Sequence, residues 1–133
     1  MLTPILQALV LADHVHVDRS TGKAYVLGTF NQVWSDEFPR ATEQGTYAFI
    51  SLTEVRGQVA ILLRYVDLSN NKVLMECKGI TITGHDPLAT IEFAVPVPQF
   101  PLPHAGNYAF EVYANDEMIG MKRLQVTKRE RTK

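Results

Sequence analysis

Apolar and polar residues alternate with a period of two along most of the chain, in short runs separated by turn residues. The clearest example lies between Leu88 and Val97, where Ile91, Phe93 and Val95 occupy one parity. This period is typical of strands that bury one face. No window combines an apolar pattern of helical period with capping residues at both ends. The chain is therefore predicted to be all-β.

The runs are short and close together, which favours hairpins. Asn70 and Asn71 predict a two-residue hairpin turn, because Asn tolerates positive φ. Gly28, inside the second run, predicts a bulge or a close backbone approach. The predicted strands cover the runs Ala8 to Val17, Lys23 to Trp34, Thr46 to Val55, Gln58 to Asp67, Lys72 to Thr83, Leu88 to Val97, Asn107 to Ala114 and Met118 to Thr127.

Two segments interrupt the alternation and predict crossovers between sheets. Ser35 to Gly45 is polar and irregular, and Pro96 to Gly106 is rich in proline. Proline cannot donate a hydrogen bond to a sheet, so the second segment is not a central strand. About eight strands with two long crossovers predict a two-layer antiparallel β-sandwich of the immunoglobulin-like or Greek-key type. A closed barrel is the alternative.

Size and charge narrow the class of protein. The 133 residues, 46% hydrophobic and 20% charged, suit one globular domain with its own core. That domain is predicted over residues 1–127, with 128–133 as a flexible basic tail. The net charge of −1 provides no field that attracts nucleic acid or an acidic membrane. The apolar run Ile5 to Ala12 is too short to span a bilayer, so a cytoplasmic protein is expected.

Several stretches carry a resemblance to a known family. They are Leu11-Ala12-Asp13, Leu27-Gly28-Thr29-Phe30 with the later Glu37-Phe38-Pro39, and the closing Pro103-His104-Ala105-Gly106-Asn107-Tyr108-Ala109-Phe110-Glu111-Val112 with Ile119-Gly120 and Leu124-Gln125-Val126. In these places the chain resembles a family of small bacterial proteins, a domain of unknown function with an immunoglobulin-like β-sandwich. The resemblance covers most of the chain. It implies the fold and brings no catalytic residues with it.

His14 and His16 are the candidate metal ligands. Two residues apart on a strand, they project from the same face, and a His-x-His pair can supply two ligands to zinc. A third ligand would have to come from Asp18, His85 or His104. The competing interpretation is that both histidines decorate an exposed sheet face.

Catalytic groups are predicted to be absent, and no cofactor is expected. The single cysteine, Cys77, alternates with Val73 and Met75 and is predicted to face the core with them. Asp13 lies on the parity of Leu11, so a buried position would require hydrogen-bond partners and make it a structural tether. No nucleophile elbow, phosphate loop or dinucleotide fingerprint occurs. We therefore expect a protein that is not an enzyme.

Large aromatic residues in the irregular segments are the candidate contacts. Trp34 ends the second run, Phe38 lies in the first crossover and Phe100 in the second. They either contact a partner or fold back over the open ends of the sandwich. The sequence thus predicts a binding or assembly module that acts through loops or sheet edges, with a protein partner or a homodimer. The alternative is a sandwich that binds a small ligand or metal through His14 and His16.

Overall fold

The computed structural model describes residues 2–130, and these form only strands, turns and loops. In this part of the chain there is no helix with the length and apolarity needed to cross a membrane. The strands are β1 (Ile5–Val17), β2 (Ala24–Thr29), β3 (Gln32–Ser35), β4 (Arg40–Ala41), β5 (Thr46–Thr53), β6 (Gly57–Asp67), β7 (Lys72–Gly84), β8 (Ile91–Val97), β9 (Pro101–Leu102), β10 (Gly106–Ala114) and β11 (Glu117–Lys128).

These strands form two sheets and a short ribbon. The first sheet has the order β2-β1-β5-β8 and the second β3-β11-β10-β6-β7, while β4 pairs with β9. Pairing is antiparallel except between β3 and β11, which run parallel. The chain crosses from β5 to β6 in the other sheet and returns through β8, which gives a Greek-key path. The predicted two-layer sandwich is confirmed.

The core lies between the sheets because both contribute their inward parity to one apolar cluster. Its centre is aromatic: the ring of Tyr65 lies 5.4 Å from that of Tyr108, 4.8 Å from Phe100 and 4.9 Å from Phe110, between centroids. Each of these four side chains is fully buried. The Tyr65 hydroxyl donates to the carbonyl of Pro101 at 2.9 Å, so its polar end is satisfied as well.

The turn into β10 carries a structural signature of immunoglobulin-like sandwiches. The hydroxyl of Tyr108 donates to the carbonyl oxygen of His104 at 2.6 Å, and the amide of His104 donates to that hydroxyl at 3.2 Å. A tyrosine near the start of this strand that bonds to backbone a few residues upstream is a tyrosine corner. It anchors the proline-rich crossover to the second sheet.

The predicted second strand is wrong in extent. β2 ends at Thr29 in the first sheet, and the chain reaches the second sheet at Gln32, where β3 begins. Gly28, one residue before the end of β2, has a φ of +73°, a conformation that favours glycine. The hairpin of β1 with β2 is confirmed. Its register is the same on both sides of Gly28, so there is no bulge there, and the close approach at Gly28 is to the side chain of Asp13.

Two other local predictions need correction. The β6–β7 turn takes four residues, 68–71, rather than two, although Asn71 does adopt a φ of +58°. A bulge in β7 pairs Met75 with Tyr65 but Val73 with Val66. Because neighbouring residues of a strand face opposite ways, Val73 does not share the inward face with Met75 and Cys77.

The second sheet continues beyond residue 127, the predicted end of the domain. Lys128 belongs to β11, and the amide of Arg129 donates to the carbonyl of Ser35 at 2.8 Å. The chain therefore stays attached to β3 beyond the predicted domain end at residue 127. Residues 131–133 of the predicted tail lie outside the described residues.

Candidate binding groove beside strand β3

Strand β3 is an edge of the second sheet and is bordered by three neighbouring hollows. Two of them, of about 270 and 250 Å³, are lined by β3 and by residues 40–44, and we call them together the β3 groove. A third hollow of about 240 Å³ lies against the end of β11. Trp34 lines both the first and the third hollow, so its indole separates the β3 groove from the end of β11.

The wall of the groove opposite β3, formed by residues 40–44, is hydrogen-bonded to the proline-rich crossover. The amide of Thr42 donates to the carbonyl of Phe100 at 3.0 Å, and the amide of Phe100 donates to the Thr42 hydroxyl at 3.1 Å. The side-chain amide of Gln99 donates to the carbonyl of Glu43 at 2.6 Å. These bonds extend the β4–β9 ribbon and give the groove a preformed wall, which lowers the entropy cost of binding.

The three predicted aromatic contacts have different environments. Trp34 is 56% exposed. Phe38 is half-buried and packs against the core. Phe100 is completely buried, so of the two alternatives it folds back over the core and is not an exposed contact. The reason is its position over the aromatic centre of the core, with its ring centroid 5.3 Å from that of Phe110. Of the three, Trp34 has the exposure that a contact residue requires.

Charged side chains are distributed unevenly along the β3 groove. Arg40 and Arg129 line the hollow beside Trp34, and Lys128 lines the next one. Arg40 is paired with Asp36 at 2.8 Å and lies 4.0 Å from Glu43, which lines both hollows of the groove. Asp13 lies at the opposite end of the groove. A bound segment would therefore meet the positive charges of Arg129 and Lys128 near Trp34, and the carboxylates of Glu43 and Asp13 along the rest of the groove.

Asp13 is exposed, contrary to the prediction of a buried tether. β5 covers β1 only as far as Ala12, which pairs with Tyr47, so the strand leaves the sandwich at this point. The carboxylate instead packs against Gly28. A Cβ atom at that position would lie 2.6 Å from its Oδ2 atom.

The candidate metal ligands His14 and His16 share the outer face of the first sheet and are exposed. Their rings contact tyrosines: His14 lies 5.9 Å from Tyr47 and His16 lies 6.2 Å from Tyr25, between centroids. Of the proposed third ligands, Asp18 accepts bonds from Ser20. Within residues 2–130 no group of three His, Cys, Asp or Glu side chains gathers around a common point.

An ion pair that the sequence did not reveal joins β6 to the second crossover. His104 Nε2 lies 2.7 Å from Oδ2 of the buried Asp67, and His104 Nδ1 lies 2.7 Å from the carbonyl oxygen of Ala105. Both acceptors require a proton on the ring nitrogen that faces them, so this geometry favours the imidazolium. The bond to Ala105, together with that to Asp67, raises the pKa of His104.

The same carboxylate is held by a serine. Burial alone would raise the pKa of Asp67, but bonds from the hydroxyl and amide of Ser69 and from His104 lower it overall. Because the Ser69 hydroxyl donates to Asp67 at 2.7 Å and His104 is a donor at both nitrogens, the cluster lacks a free base to activate a nucleophile. Its three residues, Ser69, His104 and Asp67, are of the types found in a catalytic triad, but here their hydrogen bonds tether the second crossover to β6.

Cys77 is half-buried on the inward face of β7, and burial raises the pKa of its thiol. A raised pKa disfavours the thiolate, which is the reactive form. Among the described surfaces, the β3 groove joins two adjacent hollows along one sheet edge.

Comparisons with known proteins identify a family and similar folds. A search of curated proteins found no match. An alkylpurine DNA glycosylase from Pseudomonas fluorescens bound to DNA with an abasic site analog is similar over 89% of this chain, with a TM-score of 0.52 and 9% identity. The chain spans 30% of the length of that enzyme, and at this identity the likeness concerns the fold alone.

Two further structures are similar at a lower level. An immunoglobulin-like protein from Pseudomonas aeruginosa covers 95% of this chain and 98% of its own, with 14% identity and a TM-score of 0.41. The sensor domain of an anti-sigma factor from Pseudobacteroides cellulosolvens covers 71% of this chain and 91% of its own, with 20% identity and a TM-score of 0.39.

The sequence of residues 7–127 matches a family described as "Family of unknown function (DUF6941)". This match covers almost the whole of the sandwich, from β1 to β11. The chain, whose own fold is a two-layer β-sandwich, belongs to this DUF6941 family.

Proposed function

We propose that this protein is a non-enzymatic binding module of the bacterial cytoplasm that holds a segment of a partner protein in the β3 groove. The observation that carries the proposal is the exposed Trp34, placed between adjoining hollows at a sheet edge. Tryptophan and arginine are enriched among residues that dominate binding energy. Here Trp34 has Arg40 and Arg129 beside it.

An extended segment fits this groove better than a compact ligand. β3 pairs with β11 on one side, so its other side offers backbone groups to an added strand. Side chains that alternate along such a segment could enter successive hollows. The cationic end beside Trp34 favours a segment with an acidic residue there, because a charge-assisted hydrogen bond to arginine is stronger than a neutral one.

A binding role also agrees with the other polar clusters. In the tether of Asp67 with His104 and Ser69, hydrogen bonds occupy the groups that catalysis would need. The remaining free sheet edges support the second part of the proposal, which is that the module associates with itself as well as with a partner.

A photo-crosslinking amino acid in place of Gln32, an exposed β3 residue that lines two of the hollows, tests the groove and leaves Trp34 in place. Placed in cells of the source organism, it should capture one dominant protein, while the same group at Leu88, which is 84% exposed in a turn, should not. With that protein purified, Trp34→Ala should weaken binding by at least about tenfold. Leu88→Ala should leave the affinity unchanged.

The fluorescence of Trp34 provides a second measurement, because it is the single tryptophan of the chain. Burial of the indole by the captured protein should shift its emission to shorter wavelength. Unchanged emission, or equal affinity of the Trp34→Ala variant, would show that the groove is not the binding site.

A further inference from the structure

Strand β2 is an unprotected sheet edge. Its six residues, Ala24–Thr29, contain no charged side chain and no proline. Proteins normally protect edge strands with charges, prolines, short length or a covering loop, because an exposed row of backbone groups pairs with other chains. β2 instead presents the β-forming sequence Tyr-Val-Leu to the outside.

The other three edges carry such protection. β8 has Pro96 and Glu92, and β7 has Glu76 and Lys78. β3 is only four residues long, and its free side borders the groove proposed for a partner segment. The contrast makes β2 the edge on which a further strand is most readily accommodated.

The hairpin that carries β2 also extends beyond the sandwich. β5 pairs with β1 only as far as Ala12, so residues 14–17 of β1 pair with β2 alone. Val17, Tyr25 and Leu27 are each about half exposed there, at 56%, 47% and 54%. A two-stranded ribbon is marginally stable by itself, and additional strands stabilise it.

We infer that two copies of this protein pair through antiparallel β2 strands, joining their first sheets into one continuous sheet. This deepens the self-association part of the proposed function. A second copy fits because the strand is complementary to itself. In a register centred on Val26, each Tyr25 lies opposite Leu27 of the other copy, so apolar side chains meet on one face.

The position of the charged residue next to β2 agrees with the register centred on Val26. Lys23, the charged residue that flanks β2 on its turn side, lies opposite Thr29 of the other copy. No like charges are therefore opposed within the paired segment. The ring of Tyr25 already stacks on His16 of its own copy, which holds it on the face where it would meet Leu27.

Sedimentation or light scattering from about 1 µM to about 1 mM should show the mass rising from one chain to two. In Tyr25→Lys/Leu27→Lys, lysines face each other across the two-fold axis, and dimerisation should weaken at least tenfold. Both sites are exposed, so the fold should persist, as circular dichroism can verify. Leu88→Lys, in an exposed turn, should dimerise like the unaltered protein.

Charge reversal shows whether the lost association comes from the interface. Tyr25→Glu/Leu27→Glu should also be monomeric, yet an equimolar mixture with the lysine variant should form heterodimers.

A disulfide cross-link between two copies tests the register of the paired strands. In a Cys77→Ser background, Val26→Cys should cross-link two copies, since facing Cα atoms of paired strands lie about 4.5–5.5 Å apart. Lys23→Cys should not, since its copies would lie about 20 Å apart.

A mass of one chain throughout the concentration range would overturn self-association and this interface together. A dimer that persists in the lysine variant, or lacks the Val26→Cys cross-link, would overturn the β2 interface alone. Trp34→Ala should leave dimerisation unchanged, and the lysine variant should leave crosslinking from position 32 unchanged. The two surfaces can thus fail separately.

Discussion

Two buried hydroxyl groups show how individual side chains contribute in opposite directions. Tyr108 is fully buried, and its hydroxyl both donates to and accepts from the backbone of His104. Thr46 is also buried, at 8% exposure, but among residues 2–130 its Oγ1 atom finds no hydrogen-bond partner. A buried hydroxyl stabilises only if its bonds are made.

Removing each hydroxyl should therefore have different effects. Tyr108→Phe should lower the free energy of unfolding by about 1–2 kcal/mol, because it leaves the His104 backbone groups unpaired. Thr46→Val should leave the free energy of unfolding unchanged or raise it by up to about 1 kcal/mol. Urea denaturation measures both. Equal losses in the two variants would contradict this account of the tyrosine corner.

The tether of His104 with Asp67 predicts a pH dependence of stability. The pKa of His104 is raised above its ordinary 6.5, so its contribution is complete below that pH and is lost as the pH rises through the raised value. The pKa of Asp67 is lowered from 3.8, so its contribution is present above 3.8 and is lost in stronger acid. The pair therefore stabilises most between these values.

His104→Gln tests that window. The unaltered protein should be more stable at about pH 5.5 than at about pH 9, and the variant should lose part of the difference. His85→Gln, in an exposed turn, is the matched control and should keep it. A pH profile that is the same in His104→Gln and the unaltered protein would show that the tether does not contribute.

At the scale of elements, the contact of Gly28 with Asp13 shapes the hairpin of β1 and β2. Gly28 adopts a φ of +73°, and a side chain there would meet the Asp13 carboxylate. Gly22 has the same φ of +73°, but a Cβ atom there would meet nothing within 4 Å. A comparison of substitutions at the two glycines therefore distinguishes the stability cost of backbone strain from that of a steric clash.

Gly22→Ala should cost about 1–2 kcal/mol of stability, the strain of a left-handed residue with a side chain. Gly28→Ala should cost more, because the methyl group also displaces Asp13. Adding Asp13→Ala should recover part of that loss, which thermal or urea denaturation can measure. If Gly28→Ala costs no more than Gly22→Ala, the close approach is unimportant.

At the scale of the whole molecule, one core joins the two sheets, so they should unfold together. The chain contains one tryptophan and one cysteine, Trp34 and Cys77, at opposite edges of the second sheet. Fluorescence of Trp34 and thiol labelling of Cys77 should give coincident urea transitions. An earlier transition at either probe would mean that its edge unfolds separately from the core.

Local pattern was enough to predict the class of fold, since alternation, glycines and prolines act within a few residues. The β1–β2 hairpin and the inward position of Cys77 follow directly from it. The burial of Phe100 does not, because it depends on Tyr65, which lies far away in the chain, and on Phe110, which lies on another strand. The ion pair of Asp67 with His104 spans 37 residues and gives no local signal.

The sequence by itself therefore determined that this protein is all-β and built from short strands, because burial of alternate residues is a local constraint repeated in every strand. The choice between a sandwich and a closed barrel was left to the tertiary structure. Tertiary structure decided which exposed groups form surfaces. It buried Phe100 and left Trp34 exposed beside the β3 groove, and it let the hairpin of β2 extend beyond β5. Such features depend on which strands lie next to each other, and the Greek-key path sets that order rather than any local pattern.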